Sequence, residues 1–411
     1  MSDHHVYAND VNMFDGGAGL NLDSFEMALK EHYKGGVIED LVYKNRPLLA
    51  MMPKYTKFGG RVMPVPVMNA NPQNRSATFG DAQKTSNYVA SSIKSFLLQR
   101  QRDYSIAKID GETLEASKGD ANAFMQAATA EIDGAMSAIG RSLAGACYRN
   151  GSGVIGTAGT INPPGDTSVP LTDPAAVTQF EVGMLLNDEA TGLNSATITA
   201  VNRSTGVLTV VQGSPAIATG DDLLVQGDKD KKVAGLAAWV DPGATALAAD
   251  FFGIKRDVDP SRLGGLSHNG AAQPIEEALV DAASLVGREG GRPDHCFLPF
   301  EKFSELVKAL GSKVTYVDAK SPANIGFRAL ELHAPYGTMK VIPDADCQAD
   351  TAWLLQMNTW SLNSLGEAPR ILTHDGNRAL RLASADAIEV RIGYYANIAC
   401  KAPGWNCKVT L

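Results

Sequence analysis

The chain has 411 residues, 44% of them hydrophobic and 20% charged, with a net charge of −8 and a pI near 5.4. That length predicts two or three folded units, and the apolar share excludes wholesale disorder and collagen-like repeats. The acidic balance lacks the global basic footprint of a nucleic-acid binder, and no apolar run approaches the ~20 residues of a membrane span.

Residues 1–52 read as an arm of short helices. The start, Met1-Ser2-Asp3-His4-His5, lacks the basic and apolar regions of a signal peptide, so a soluble chain made in the cytosol is expected. Asp23 and Glu26 have capping-box spacing, with Phe25, Leu29 and Tyr33 following at helical intervals. Gly35-Gly36 interrupts, a second helix is expected over Val37–Lys44, and Pro47 is expected to stop it. Helices this short are marginal alone in water and must pack on something larger.

Residues 53–112 predict a long two-stranded ribbon. Arg61–Val67 reads as a strand in which Pro64 and Pro66, two apart, remove two donors from the same edge. Such a strand must lie at a sheet edge and pair through its other side. Asn69–Asn87 follows with Phe79 as its one large apolar side chain, a polar tip, and Ser92–Ile109 reads as the returning strand, with Tyr104 and Ile106 on one face. An isolated ribbon is marginal in water, so neighbouring molecules are expected to complete it. Lys94, Arg100 and Arg102 share strand parity with Phe96, Leu98 and Tyr104, giving one expected face both basic and apolar groups. A solvated face is the plain reading of that pattern; the sharper one is docking on an acidic, partly apolar surface of a neighbouring copy.

Residues 113–150 contain the clearest helix. Over Asp120–Arg149, Phe124, Met125, Ala128, Ile132, Met136, Ile139, Leu143 and Cys147 recur at steps of three and four. Asp120 is the expected N-cap and Asn150-Gly151 the stop. Gly134, Gly140 and Gly145 each weaken it by up to ~1 kcal/mol, which leaves drift, a bend or a close neighbour contact as explanations.

Residues 151–234 are a compositional island with one aromatic (Phe180), eleven glycines, four basic and nine acidic residues. Strands are expected at Val182–Leu186, Ser195–Val201, Val207–Val211 and Asp222–Gln226, two of them joined by the turn Asn202–Gly206. This predicts a small all-β domain inserted in another fold, its core built from Val, Leu and Ile. Residues 235–411 read as mixed α/β, with helices Pro274–Arg288 and Pro299–Leu310 and strands Met339–Ile342, Ala352–Met357 and Ala387–Cys400.

Chemical motifs are weak throughout. Gly151-x-Gly153-x-x-Gly156 follows a helix rather than a strand, so a linker is expected, not a phosphate cradle. Ser267-His268 lacks the strand–elbow–helix setting of a nucleophile. The histidines show no metal-ligand spacing, Asp228-Lys229-Asp230 is no calcium loop, and Cys147, Cys296, Cys347, Cys400 and Cys407 form no C-x-x-C. No catalytic residue, metal or cofactor is expected, and the thiols are expected to be buried and unpaired.

Arm, ribbon, long helix and an α/β region closing on a long strand resemble, in that order, the major capsid proteins of tailed bacteriophages. The resemblance is carried by residues 40–53, 58–66 and 336–344, by Trp353-Leu354-Leu355 and Trp360, and by Tyr394-Tyr395-Ala396-Asn397 and Pro403-Gly404-Trp405-Asn406. It covers roughly residues 20–150 and 235–411, with the β island outside. It implies an α+β, Hong Kong 97-type fold: arm 1–52, extended loop 53–112, spine helix 113–150, an inserted β domain 151–234, peripheral segments 235–270 and 381–411, and an axial domain 271–380. The implied function is self-assembly, as pentamers and hexamers, into an icosahedral head that encloses DNA without sequence-specific grip. Its implied place is the virion capsid, assembled in the host cytoplasm and away from membranes. The candidate inter-subunit contacts are Arg61, Phe79, Lys94, Phe96, Leu98, Arg100 and Arg102. The helical arm begins close to Met1, so a separate scaffolding protein is expected, alongside a portal and a decoration protein as further partners. Some relatives crosslink a lysine to a neighbour's asparagine; Lys57, Lys84 or Lys94 and Asn397 or Asn406 offer the residue types, but no motif singles them out and no crosslink is expected. The same fold builds encapsulins, cellular compartments that hold enzymes, and a cytosolic enzyme is the reading from another class.

Overall fold

The computed structural model describes residues 42–411 except 74, 85–88, 112–120, 164, 189–193, 312–315, 321–325, 374–376 and 383. The capping box at Asp23, the segment 37–41 and the N-cap at Asp120 lie outside the described residues. The helical residues 42–43 give way to a turn before Pro47, and Pro47 also opens a new short helix, Pro47–Met51, where its missing N–H costs nothing in a first turn. Leu48, Leu49, Met51 and Met52 are all buried.

The ribbon is real but shorter than its sequence implies. After β1 (Lys54–Tyr55), β2 (Val62–Ala70) pairs antiparallel with β3 (Ser92–Gln99), placing Val65 opposite Phe96 and Met68 opposite Ile93. β3 is the only strand partner of β2 among the described residues, as the two prolines require. The expected single return strand breaks at Arg100. Its second half, β4 (Gln101–Asp110), leaves the ribbon and pairs along Ala387–Ala396 in a separate six-stranded sheet. The cause is a change of phase: the buried residues are Phe96 and Leu98 in β3 but Ala107 and Ile109 in β4. One residue must be spent to move an apolar face from one sheet to another.

The long helix, Ala121–Tyr148, packs across β4 and the strand Ala387–Cys400, burying Ile132, Met136, Ile139, Leu143 and Cys147. Two of its glycines mark close approaches. A Cβ at Gly140 would sit 3.0 Å from Arg46 Nη1, and one at Gly145 3.0 Å from Gln179 Oε1. Gly134 has open space.

Beyond the helix, β5 (Val154–Thr157), β6 (Ser168–Pro170), β7 (Leu185–Asp188), β8 (Asn194–Asn202), β9 (Val207–Gln212) and β10 (Asp222–Val225) form their own sheet, in the order β5-β10-β7-β8-β9-β6. A bridge from Ala158 to Leu171 joins its two ends, so the sheet closes into a small barrel without a free edge. β5 and β6 escape the sequence reading, and the strand expected at Val182–Leu186 starts at Leu185. Val169, Leu171, Leu186, Ile198, Leu208, Val210 and Leu223 surround Phe180 in the core. At the barrel's neck the outgoing and returning chains touch: Gly153, with φ +94°, has Asp228 O where a Cβ would be 2.6 Å away. The Gly151–Gly156 motif is therefore a crossing point of two chains.

The remaining sheet has seven strands, ordered Leu266–Asn269, Cys407–Thr410, Thr351–Leu355, His295–Leu298, Gly337–Pro343, Gly326–Ala334 and Tyr316–Lys320. Helices Ile275–Arg288 and Phe300–Leu310 accompany it. Sheet membership corrects the expected boundaries. Leu266–Asn269 runs parallel to Cys407–Thr410, so the ends of 235–270 and 381–411 belong with this sheet. Trp360–Ser364 and Arg370–Ile371, placed within 271–380, instead pair with Ala387–Cys400, as does Ala379–Arg381, which straddles the expected boundary at 380.

Candidate assembly surface

The seven candidate contact residues divide cleanly by environment. Phe96 and Leu98 are fully buried inside their own subunit. Phe96 meets Trp239 edge-on at 4.9 Å and Phe251 at 6.0 Å, and the Leu97 N–H donates to Phe252 O at 2.8 Å. These contacts fix the ribbon's base to its own subunit, so neither residue is available to a neighbour. Arg100 also turns inward: Nη1 donates to Phe58 O at 2.6 Å and the guanidinium lies 5.1 Å from the Phe58 ring centre. It anchors the point where the strand changes sheet. Arg61, Lys94 and Arg102 are exposed, and Phe79, on a single helical turn at the ribbon tip, is 81% exposed.

The ribbon's second face carries the stronger signal, which the sequence reading missed. Because strand neighbours alternate, burying Val65, Val67, Phe96 and Leu98 turns Pro64, Pro66, Met68, Ile93 and Leu97 outward. Ile93 is 65% exposed, Met68 51% and Leu97 45%. Cross-strand pairing gathers them: Met68 faces Ile93 and Pro64 faces Leu97. A contiguous apolar face on a polar-tipped ribbon marks an interaction surface.

Two buried polar clusters hold the platform behind it. Asp344 receives the Leu48 N–H at 3.2 Å and the Tyr148 hydroxyl at 2.7 Å on Oδ2, and the Asp346 N–H at 3.0 Å on Oδ1. Asp346 meets Arg46 at 3.7 Å and accepts from Gln179 Nε2 at 2.9 Å. This junction ties the arm, the long helix, the barrel and the seven-stranded sheet together. Burial pushes the Asp344 carboxyl up to about 6, with the Asp346 charge adding to it. At the barrel's neck, Lys232 Nζ lies 2.5 Å from Asp103 and 3.0 Å from Asp228 and donates to Ser142 Oγ at 2.9 Å.

Asn397 and Asn406, the crosslink candidates, are both fully buried. Asn397 Nδ2 donates to Gln99 O at 2.7 Å, and Asn406 Oδ1 accepts the Trp360 indole N–H at 2.8 Å. Ser267-His268 lies on an extended strand, with His268 Nε2 3.2 Å from Gln273. An open cleft of ≈ 900 Å³ runs between the barrel and the seven-stranded sheet. Among the described residues no cluster of three metal-ligating side chains forms.

Comparison with known proteins supports the fold. A family model for the SU10 major capsid protein matches residues 209–377. The capsid asymmetric unit of cyanophage A-1(L) is similar at 10% identity and a TM-score of 0.52, over 92% of this chain and 94% of that one. A structure from Mycobacterium phage Adephagia gives 14% identity, TM-score 0.43 and coverages of 96% and 98%. A virus-like particle from Pyrococcus furiosus gives 8%, 0.40, 90% and 95%. No curated protein matches. The chain has a mixed α+β, Hong Kong 97-type capsid fold.

Proposed function

We propose that the chain is the shell subunit of a tailed bacteriophage, closing as pentamers and hexamers into an icosahedral head around double-stranded DNA. The observation that carries this reading is the two-faced ribbon: one face anchors to Trp239 and Phe251, and the other leaves Met68, Ile93 and Leu97 in solvent. A lone soluble subunit has no use for that second face; a lattice of identical subunits buries it repeatedly. In this reading Arg61, Lys94, Arg102 and Phe79 contact the neighbour. The long helix is the spine of a peripheral domain, the seven-stranded sheet is the axial domain, and the barrel is an insertion. The acidic chain contains DNA without gripping it, and a scaffolding protein, a portal and a decoration protein join the assembly in the host cytoplasm.

Electron microscopy of the purified protein tests the proposal. Closed shells, filled with DNA and bearing a tail when taken from particles, support it. Shells filled with enzyme cargo indicate a cellular compartment instead. A protein that stays monomeric at concentrations where capsid subunits assemble refutes both.

A further inference from the structure

Charge is sharply segregated along this chain. Residues 54–102, the ribbon and its flanks, hold eight basic residues and one acidic, Asp81, a charge of +7. Residues 154–225, the barrel, hold seven acidic residues and one basic, Arg203, a charge of −6. On the barrel, Asp166, Asp221 and Asp222 accept only backbone N–H groups or hydroxyls, and none forms an ion pair with a side-chain cation among the described residues. Arg61, Arg75 and Lys94 of the ribbon likewise meet no carboxylate among the described residues. Like charge concentrated on each element repels itself until the complement arrives.

The barrel also presents an apolar stripe. Leu185 lies opposite Thr197, which lies opposite Val211, and Val211 is 60% exposed. Asp166 borders it, its carbonyl accepting from Gln212 Nε2 at 2.5 Å. An apolar stripe on a barrel of net negative charge is complementary to the apolar face of a ribbon of net positive charge, whose Lys94 projects from the strand's other side opposite Val67. Within one subunit the ribbon packs on the Trp239 cluster, not on the barrel.

We propose that the barrel of one subunit is the seat for the ribbon of a neighbouring copy, with Met68, Ile93 and Leu97 meeting the Leu185–Val211 stripe. This rests on the shell reading and names the partner surface for it. Because the flanking charges are exposed, the contact weakens with salt over a Debye length of ~8–10 Å.

All five native cysteines are buried, so introduced thiols report alone. Subunits carrying Ile93→Cys and subunits carrying Val211→Cys are co-assembled and treated with a flexible bis-maleimide. A covalent dimer is expected, and it should disappear when Val211→Cys is replaced by Val258→Cys, a site 67% exposed and off the barrel. In parallel, Arg61→Glu with Lys94→Glu, and separately Asp166→Lys with Asp222→Lys, should each slow assembly about tenfold, and the four together should restore it. Shells that form without the Ile93–Val211 crosslink, or with an equal crosslink to position 258, overturn the barrel seat while leaving the shell reading intact. So do ribbon variants that assemble normally but lose DNA, since their cations would then face nucleic acid. Wild-type protein that forms no shell refutes the shell reading itself.

Discussion

The opposed faces of β3 make a sharp prediction, because residues three apart should fail in different ways. Phe96→Ala removes a buried ring touching Trp239 at 4.9 Å and Phe251 at 6.0 Å. Truncating a buried phenylalanine costs about 3–5 kcal/mol, a large part of a typical domain's stability. Ile93→Asp alters a side chain that is 65% exposed in the subunit, and such a change shifts subunit stability by no more than about 0.5 kcal/mol. In the shell the outcome reverses. Burying about two-thirds of an isoleucine is worth roughly 1–2 kcal/mol per contact, or about 5–30-fold in association, and the desolvated carboxylate adds to the loss. Denaturant unfolding of dissociated subunits, followed by tryptophan fluorescence, measures the first quantity. Light scattering and sedimentation measure the concentration needed for assembly, which should rise at least about tenfold for Ile93→Asp. An Ile93→Asp subunit that unfolds as readily as Phe96→Ala, or assembles at the wild-type concentration, refutes the two-face argument.

The buried clusters give three further predictions. Asp344 in the folded chain titrates near 6, above the ~3.9 of an unfolded aspartate, so between those values the folded state holds a proton the unfolded state releases. Its stabilising share is full below about pH 4 and lost as pH rises through 6; Asp344→Asn, which keeps an acceptor for Leu48, should flatten that part of the unfolding-midpoint profile. Lys232→Met leaves Asp103 and Asp228 facing each other without their cation and should cost about 3–5 kcal/mol, read as a fall in denaturant midpoint. Gly153→Ala places a methyl 2.6 Å from Asp228 O at a positive φ. It should cost about 1–3 kcal/mol, and an unchanged melting temperature would show that the two neck chains move apart freely.

Local periodicity carried much of the fold. The helix expected over Asp120–Arg149 spans Ala121–Tyr148, and the expected strand Ala387–Cys400 has the observed bounds. Both repeat their pattern long enough to overrule local noise. β5 and β6 were not legible, being four and three residues long beside glycines and prolines, and they are strands only because the barrel closes around them. Nor could adjacency in sequence show that Leu266–Asn269 lies beside Cys407–Thr410, a pairing set by long-range packing. Phe96, Leu98 and Arg100 turn inward for a more specific reason. Shared parity across Lys94–Tyr104 assumed one unbroken strand, whereas the shift of the apolar phase between Leu98 and Ala107 already encoded the break at Arg100.

The net charge of −8 misleads in a similar way. Averaged over the chain, it excludes an electrostatic partner; resolved by element, it is the remainder of a ribbon at +7, a barrel at −6 and a more acidic body. A protein that had to avoid all charged contacts would gain nothing from separating its signs so far. A protein that repeats one contact through a closed lattice does gain: each subunit would offer a cationic ribbon to one neighbour and an anionic barrel to another, and head-to-tail complementarity of that kind makes rings where the rotation between subunits closes. On the proposed shell reading, the charge pattern therefore favours a direction of assembly around each capsomer, which a self-complementary patch of the same area would not supply.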